Sequence, residues 1–230
     1  MEKRHLDFTI DFETCALTAN AAPMQVAVVP WLRDAEKGPF MNPNDAEPLV
    51  QYVDLRTCVV EGMDFDQKTI DWWRQRDEKA KHSVCEGLGE PVADVLVNVL
   101  NYIRDLVKHY QLESICLWCQ GEDIDIAILR SLCRRFDIDL EETVPHASFR
   151  DSRTIILEAA LIEAERSMDG SNTSAVGIAL PHQMQKDPSL AYKIFPPLPS
   201  SYAEGVQHDA LYDALRSTWL TYHALKILRV

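Results

Sequence analysis

The sequence predicts a mixed α/β fold, a β-sheet flanked by helices. Three observations carry this. Short apolar, β-branched runs crowd the first 55 residues, whereas later stretches alternate between strand-like runs and segments of helical period. A chain of 230 residues that is 47% hydrophobic can also bury one good core, and two ordinary domains would be a poorer fit. A single domain over 1–230 is therefore expected.

The elements follow in order. Leu6–Phe12, Met24–Trp31 and Val50–Leu55 form an antiparallel meander of strands, and the gap from Glu13 to Pro23 suits a turn that carries functional groups. Asp66 is the N-cap of a helix through Lys81. Pro91–Tyr110 is the clearest helix, with Val92, Val95, Leu96, Val99, Leu100, Ile103, Leu106 and Val107 at helical spacing. Ser114–Trp118 is a strand, broken by Gly121 before a helix through Ile124, Ile128, Leu129 and Leu132. Residues 148–165 turn helical after Asp151. From Met168 to Val206 the chain carries Gly-Ser-Asn and Pro-Pro-Leu-Pro-Ser-Ser, the composition of a long loop or lid. A last helix starts near Asp209 and runs close to Val230.

Bulk chemistry narrows the function. No apolar run approaches the roughly 20 residues that span a bilayer, and Met1–His5 leads into a strand without a signal-like apolar stretch, so a cytoplasmic protein with no membrane partner is expected. Six cysteines make no disulfide framework, and Cys116-x2-Cys119 lacks the second ligand pair that structural zinc needs. Both read as apolar residues of a buried strand. A formal charge of −13 argues against a protein that coats long nucleic acid. It leaves room for an enzyme acting on a strand end, because cations bound among acids reverse the local sign.

The candidate chemistry lies in carboxylates. Asp11 and Glu13 close the first strand two residues apart and point to one face, where a hard cation relieves their repulsion. Alone, such a pair is commonplace at strand ends. In Gly121-Glu122-Asp123-Ile124-Asp125, Asp123 is assigned to capping or solvent and Asp125 to the site. His208 stands just before the last helix, Asp209 is its natural N-cap, and Asp213 follows one turn in. A neutral imidazole can take a proton from water. Carboxylates from separate elements plus a general base are what two-metal phosphoryl chemistry requires, with Mg²⁺ or Mn²⁺ as the two ions.

Three blocks in order, Asp11-Phe12-Glu13-Thr14, then Trp118-Cys119-Gln120-Gly121 through Asp125 to Leu129, then His208-x4-Asp213, resemble the exonuclease motifs of the DnaQ-like superfamily, DEDDh branch. The His-x4-Asp spacing separates this branch from the one with a tyrosine at the base position. Ile124 stands where the family usually has an aromatic, and the neighbouring acid is intact. Asp66-x2-Thr69-Ile70-x-Trp72-Trp73-x-Gln75 and Arg150-Asp151-x-Arg153-Thr154 are similar to segments of mycobacterial-type 3′→5′ exoribonucleases and phage DexA-like exonucleases. The resemblance implies an RNase H-like fold and a 3′→5′ exonuclease. Asp11, Glu13, Asp125 and Asp213 would hold the two ions, with His208 as base. Its partner would be single-stranded 3′ ends of RNA or DNA, with a homodimer left open.

Among supporting residues, Trp72 and Trp73 point about 100° apart on a helix, so one can pack inward while the other offers a base a stacking surface. Arg153 suits a bidentate phosphate contact or a pair with Asp151. Gln75 is placed near substrate by the resemblance alone. Two alternatives from other classes remain: an inactive nucleic-acid-binding module on the same fold, disfavoured because all five catalytic positions are filled, and an interaction scaffold using the Pro-rich 195–201 segment.

Overall fold

The computed structural model describes residues 6–42, 45–85, 89–168 and 181–229. Five strands, β1 (Leu6–Thr14), β2 (Pro23–Leu32), β3 (Leu49–Tyr52), β4 (Leu117–Cys119) and β5 (Phe149–Asp151), form one sheet in the order β3-β2-β1-β4-β5. The first three make the expected antiparallel meander, whereas β4 runs parallel to both β1 and β5. The sheet is thus mixed. Because β1 and β4 are parallel neighbours, the end of β1 and the Gly121 loop after β4 share one edge of the sheet.

Around it lie α1 (Leu55–Val60), α2 (Gln67–Arg74), α3 (Glu78–Cys85), α4 (Val92–His109), α5 (Asp125–Arg135), α6 (Ser152–Met168), α7 (Pro181–Lys186) and α8 (Ala210–Leu228). The period-2 pattern of β1 decides what each face carries. Phe8, Ile10 and Phe12 enter the main core with Val95, Leu96, Val99, Leu100 and Ile103 of α4 and Ile126, Ile128 and Leu129 of α5. The alternate residues Asp7, Thr9, Asp11 and Glu13 are all polar and turn to the opposite face, where α8 lies across β1 and β2. Asp7 is satisfied there by Arg33 at 2.6 Å and the Trp118 indole N–H at 2.8 Å. The Thr218 hydroxyl of α8 donates to Thr9 at 2.8 Å. Beside it, Ala210, Ala214 and Leu215 pack on Ala27 and Val29 of β2.

Several elements differ from expectation for local reasons. The helix expected over Asp66–Lys81 is two helices, because Asp77 accepts the Ala80 N–H at 2.9 Å and caps a new one. Asp66 does cap α2, accepting from the Thr69 N–H at 3.1 Å. The run expected to end as a strand at Leu55 stops at Tyr52, since Asp54 caps α1 through the Arg56 N–H at 3.0 Å. The three-residue edge strand β5 lay unseen before α6, and β4 is shorter and later than Ser114–Trp118. Cys116 and Cys119 are free thiols, Cys119 buried and Cys116 half-buried.

The expected loop or lid over 168–206 is corrected where it is described. Pro181–Lys186 is helical, Pro188–Ile194 and Ser200–Tyr202 are 3₁₀ turns, and residues 169–180 lie outside the described residues. Met184, Ala191 and Phe195 bury themselves against Ile156, Ala160 and Leu220 of α6 and α8, and Trp219 donates its indole N–H to the Pro196 carbonyl at 2.8 Å. Apolar residues spaced among the prolines anchor this segment. Its composition alone hides that.

Candidate active site

Asp11 and Glu13 reach the edge of the sheet on the polar face of β1, both half-buried. Asp125 comes from the opposite side as the first residue of α5, 6% exposed, and its Oδ1 accepts the Phe12 N–H at 3.1 Å. That bond plugs the acid into the β1 backbone between Asp11 and Glu13. Asp123 is exposed and the start of α5 has no side-chain cap, so of the two roles expected for Asp123 only the solvent one holds.

Asp213 and His208 arrive on α8 and the turn before it. Asp209 caps the helix as expected, accepting the Tyr212 N–H at 3.0 Å. Gln25 fixes the helix start to the sheet: its buried amide accepts the Ala210 N–H at 2.9 Å and donates to Asp209 at 3.2 Å. In the β1–β2 register Gln25 sits opposite Glu13. Gln25 received no role from its sequence context, although a glutamine inside an otherwise apolar strand is a signal. His208 has φ 69°, a left-handed conformation that a side-chain-bearing residue adopts only where its surroundings impose it. Its backbone N–H donates to Asp213 Oδ2 at 2.9 Å. Ligand atoms of Glu13, His208 and Asp213 lie within 4.8 Å of one another.

The electrostatics are strained. Burial, then the charges of Asp125, Glu13 and Asp213, hold the Asp11 carboxyl well above the usual carboxylate range. Burial and Asp213, Asp125 and Asp209 push Glu13 up to about 9. Asp125 is pushed up to about 7, chiefly by burial, against the Phe12 N–H and Arg153, which favour its charge. Burial raises Asp213 too, opposed by the His208 N–H, His208 and Arg216. The His208 imidazole is held below its usual value, mainly by burial.

Such a cluster of acids is at odds with itself unless a cation joins it. The donors are carboxylate oxygens and one imidazole, with no thiolate among them, a set suited to a hard divalent cation. Asp11, Glu13, Asp125 and Asp213 are the residues that would hold it.

Residues 6–187 match the family model described as the 3′-5′ exoribonuclease Rv2179c-like domain. The chain belongs to this family. It is a hydrolytic 3′→5′ exonuclease of the DnaQ-like superfamily, as the sequence motifs implied. The matched residues stop before His208 and Asp213, so the fold places these two. The nuclease domain of 3′hExo, a DEDDh family member solved bound to rAMP, superposes with a TM-score of 0.51 at 13% identity, covering 98% of this chain and 94% of that one. That likeness is one of fold. No curated protein matches the chain. Among the described residues, no helix is long and apolar enough to cross a membrane.

The supporting residues fall at the rim. The Arg153 guanidinium donates Nε and Nη2 to the Gln120 carbonyl at 3.0 and 2.5 Å, and Asp151 takes the Arg153 backbone N–H at 2.8 Å. Gly121, at φ 134°, makes this approach possible, since a Cβ there would lie 2.2 Å from Arg153 Nη2. The Gln120 side chain donates to the Tyr192 hydroxyl at 2.6 Å, and Arg216 lies 5.0 Å over the Tyr192 ring. Tyr192, in the segment expected to be a loop, and Arg216 were both missed. Trp73 is buried and donates its indole N–H to the Thr14 carbonyl at 2.9 Å, whereas Trp72 is 37% exposed and meets the His208 ring. Gln75 closes α2 with its backbone, and its side chain is exposed.

Proposed function

We propose that the domain removes nucleoside 5′-monophosphates one at a time from the 3′ end of single-stranded RNA or 3′ overhangs, with two Mg²⁺ or Mn²⁺ ions held by Asp11, Glu13, Asp125 and Asp213. The observation that carries this is the convergence of four carboxylates from three separate elements on one edge of the sheet, with Glu13, Asp213 and His208 within 4.8 Å. The family description supports RNA as the substrate.

Held by Asp11, Glu13, Asp125 and Asp213, the cations would supply positive charge to offset the acids, the scissile phosphate and the leaving 3′ oxygen. His208 accepts a proton from the attacking water, for which its imidazole must be neutral, and burial favours that form. Water oxygen bonds to phosphorus as the bond from phosphorus to the penultimate 3′ oxygen breaks, and that oxygen takes a proton from solvent water, giving a nucleoside monophosphate and a shortened strand with a free 3′ hydroxyl. Asp213 holds the His208 backbone through the hydrogen bond that fixes its left-handed turn. In this reading Arg153, held by the Gln120 carbonyl, meets a backbone phosphate of the strand.

The test is incubation of 5′-labelled linear and circular single strands, RNA and DNA, with Mg²⁺ or Mn²⁺ beside an Asp11→Ala protein. Stepwise shortening of the linear RNA from its 3′ end, absent in the variant, is expected. Faster degradation of the DNA would reassign the substrate, and internal cutting of the circle would overturn the exonuclease itself.

A further inference from the structure

We propose that Trp72, backed by Arg76, is a positioning residue for His208 and leaves the stacking of a substrate base to other groups. The inference rests on His208 acting as the general base.

The His208 main chain is held by Asp213, but nothing in that bond fixes the imidazole. The ring instead meets the Trp72 indole, with centres 4.6 Å apart and planes at 82°, an edge-to-face contact of the kind aromatic pairs favour. Trp72 is itself held from two further directions. Trp73 meets it edge-on at 5.1 Å, and the Arg76 guanidinium carbon lies 4.3 Å from its ring centre. That cation–π contact covers a face a base would need. Arg76 Nε is buried without a hydrogen-bond partner, and the same guanidinium also lies close enough to His208 for its charge to oppose protonation of the imidazole.

The support is continuous with the acids. Trp73 bonds the Thr14 carbonyl, one residue beyond Glu13, and thereby ties α2 to the end of β1. Asp66 adds a second tie, donating its N–H to the Cys15 carbonyl at 2.9 Å. The strand end that presents Asp11 and Glu13 therefore also sets, through α2, where the imidazole stands. A misplacement of about 1 Å costs up to about 10²-fold in rate, so the aromatic contact is an effective place to control the base.

Three measurements test this. In metal-free protein, the His208 imidazole proton resonance, assigned by its loss in His208→Ala, should be displaced by the indole ring current and should move in Trp72→Ala. This readout needs no activity. In steady-state assays Trp72→Ala should lower kcat roughly 10- to 100-fold with KM within about twofold, a part of the ~10²–10⁴-fold that a general base supplies. Arg76→Ala should shift both readouts in the same direction, and Arg76→Lys, which keeps a cation over the ring, should restore most of the loss. The decisive comparison is the double variant His208→Ala/Trp72→Ala, which should be no slower than His208→Ala alone. A rise in KM that persists in the His208→Ala background would make Trp72 a substrate platform and overturn the proposal. An unmoved imidazole resonance in Trp72→Ala would overturn it equally. Should Trp72→Ala fail to fold, Trp72→Phe and the Arg76 pair carry the same comparisons. A wild-type protein without exonuclease activity would sink the proposed function while leaving the resonance test standing.

Discussion

Replacing Asp125 by Asn should stabilise the metal-free protein, and increasingly so as pH rises. The side chain is 6% exposed and pushed from 3.8 to about 7, mainly by burial. A carboxyl whose folded value lies above its unfolded one favours the fold while protonated. Its contribution is intact at acid pH and is lost as pH climbs through about 7. The interval from 3.8 to about 7 corresponds to about 4 kcal/mol, and relaxation at the partly open site brings this to roughly 2–4 kcal/mol. For a chain of this length that is a Tm difference of roughly 5–15 °C at pH 8.5, falling to roughly a third of that at pH 5 and vanishing only below about pH 4. Asn keeps the oxygen that accepts the Phe12 N–H, so the hydrogen bond survives. The assay is thermal melting in EDTA between pH 5 and 8.5, with exposed Asp123→Asn as control. Divalent cation should raise the wild-type Tm, and by more at pH 8 than at pH 6, because the ligands must lose protons to bind. A wild-type Tm that is flat or rising across this range, or an Asp125→Asn protein destabilised equally at every pH, would refute the reasoning.

Other outcomes follow from the same geometry. His208→Ala should lower turnover roughly 10²–10⁴-fold while calorimetry still detects Mn²⁺ binding. Asp125→Ala and Asp213→Ala should weaken that binding directly and Asp123→Ala should not; the reverse would shift the assignment within the 121–125 segment. Exhaustive chelation should abolish activity and Mg²⁺ or Mn²⁺ should restore it, so full activity in EDTA would remove the metal mechanism. Gln25→Ala leaves the buried Ala210 N–H unpaired and should cost about 1–3 kcal/mol by denaturant unfolding, unless the start of α8 is less tightly tied than its bonds indicate.

How far the sequence foretold the molecule depended on whether the signal was local. The caps at Asp66 and Asp209, the apolar period of α4 and the meander all arise within a few residues of themselves, and all were legible. The acids at 11, 13, 125 and 213 stood out because their motifs and order resemble those of DnaQ-like exonucleases, and the structure brings them to one edge of the sheet. What stayed hidden is pairwise and distant. Nothing near Gln25 says that its amide closes a helix 185 residues later. Tyr192 read as part of a loop because its anchor, the Gln120 amide, is 72 residues away. Which of Trp72 and Trp73 packs inward was open in sequence, and only the distant Thr14 carbonyl, which takes the Trp73 indole N–H, separates them. The split between α2 and α3 turned on a single capping acid, Asp77, inside a stretch of otherwise helical composition.

The placement of Asp213 is more exacting than that of the other acids, because it depends on how a whole helix lies on the sheet. One residue of slip in α8 would rotate each side chain about 100° and carry Asp213 away from Glu13. Apolar packing alone is a weak guard against such a slip, since Ala210, Ala214 and Leu215 are small or interchangeable against Ala27 and Val29. Polar residues of β1 and β2 on the face under α8 supply the register instead. Thr9 meets Thr218, and Gln25 holds both Asp209 and the Ala210 N–H, so two directional contacts pin α8 at its start and two turns later. Thr9 of β1 and Gln25 of β2 therefore help bring a carboxylate from the far end of the chain to Asp11 and Glu13. The same register leaves those acids in mutual repulsion. The fold tolerates that conflict because the sheet and α8 are held elsewhere, and under the proposed function a divalent cation would turn it into binding energy.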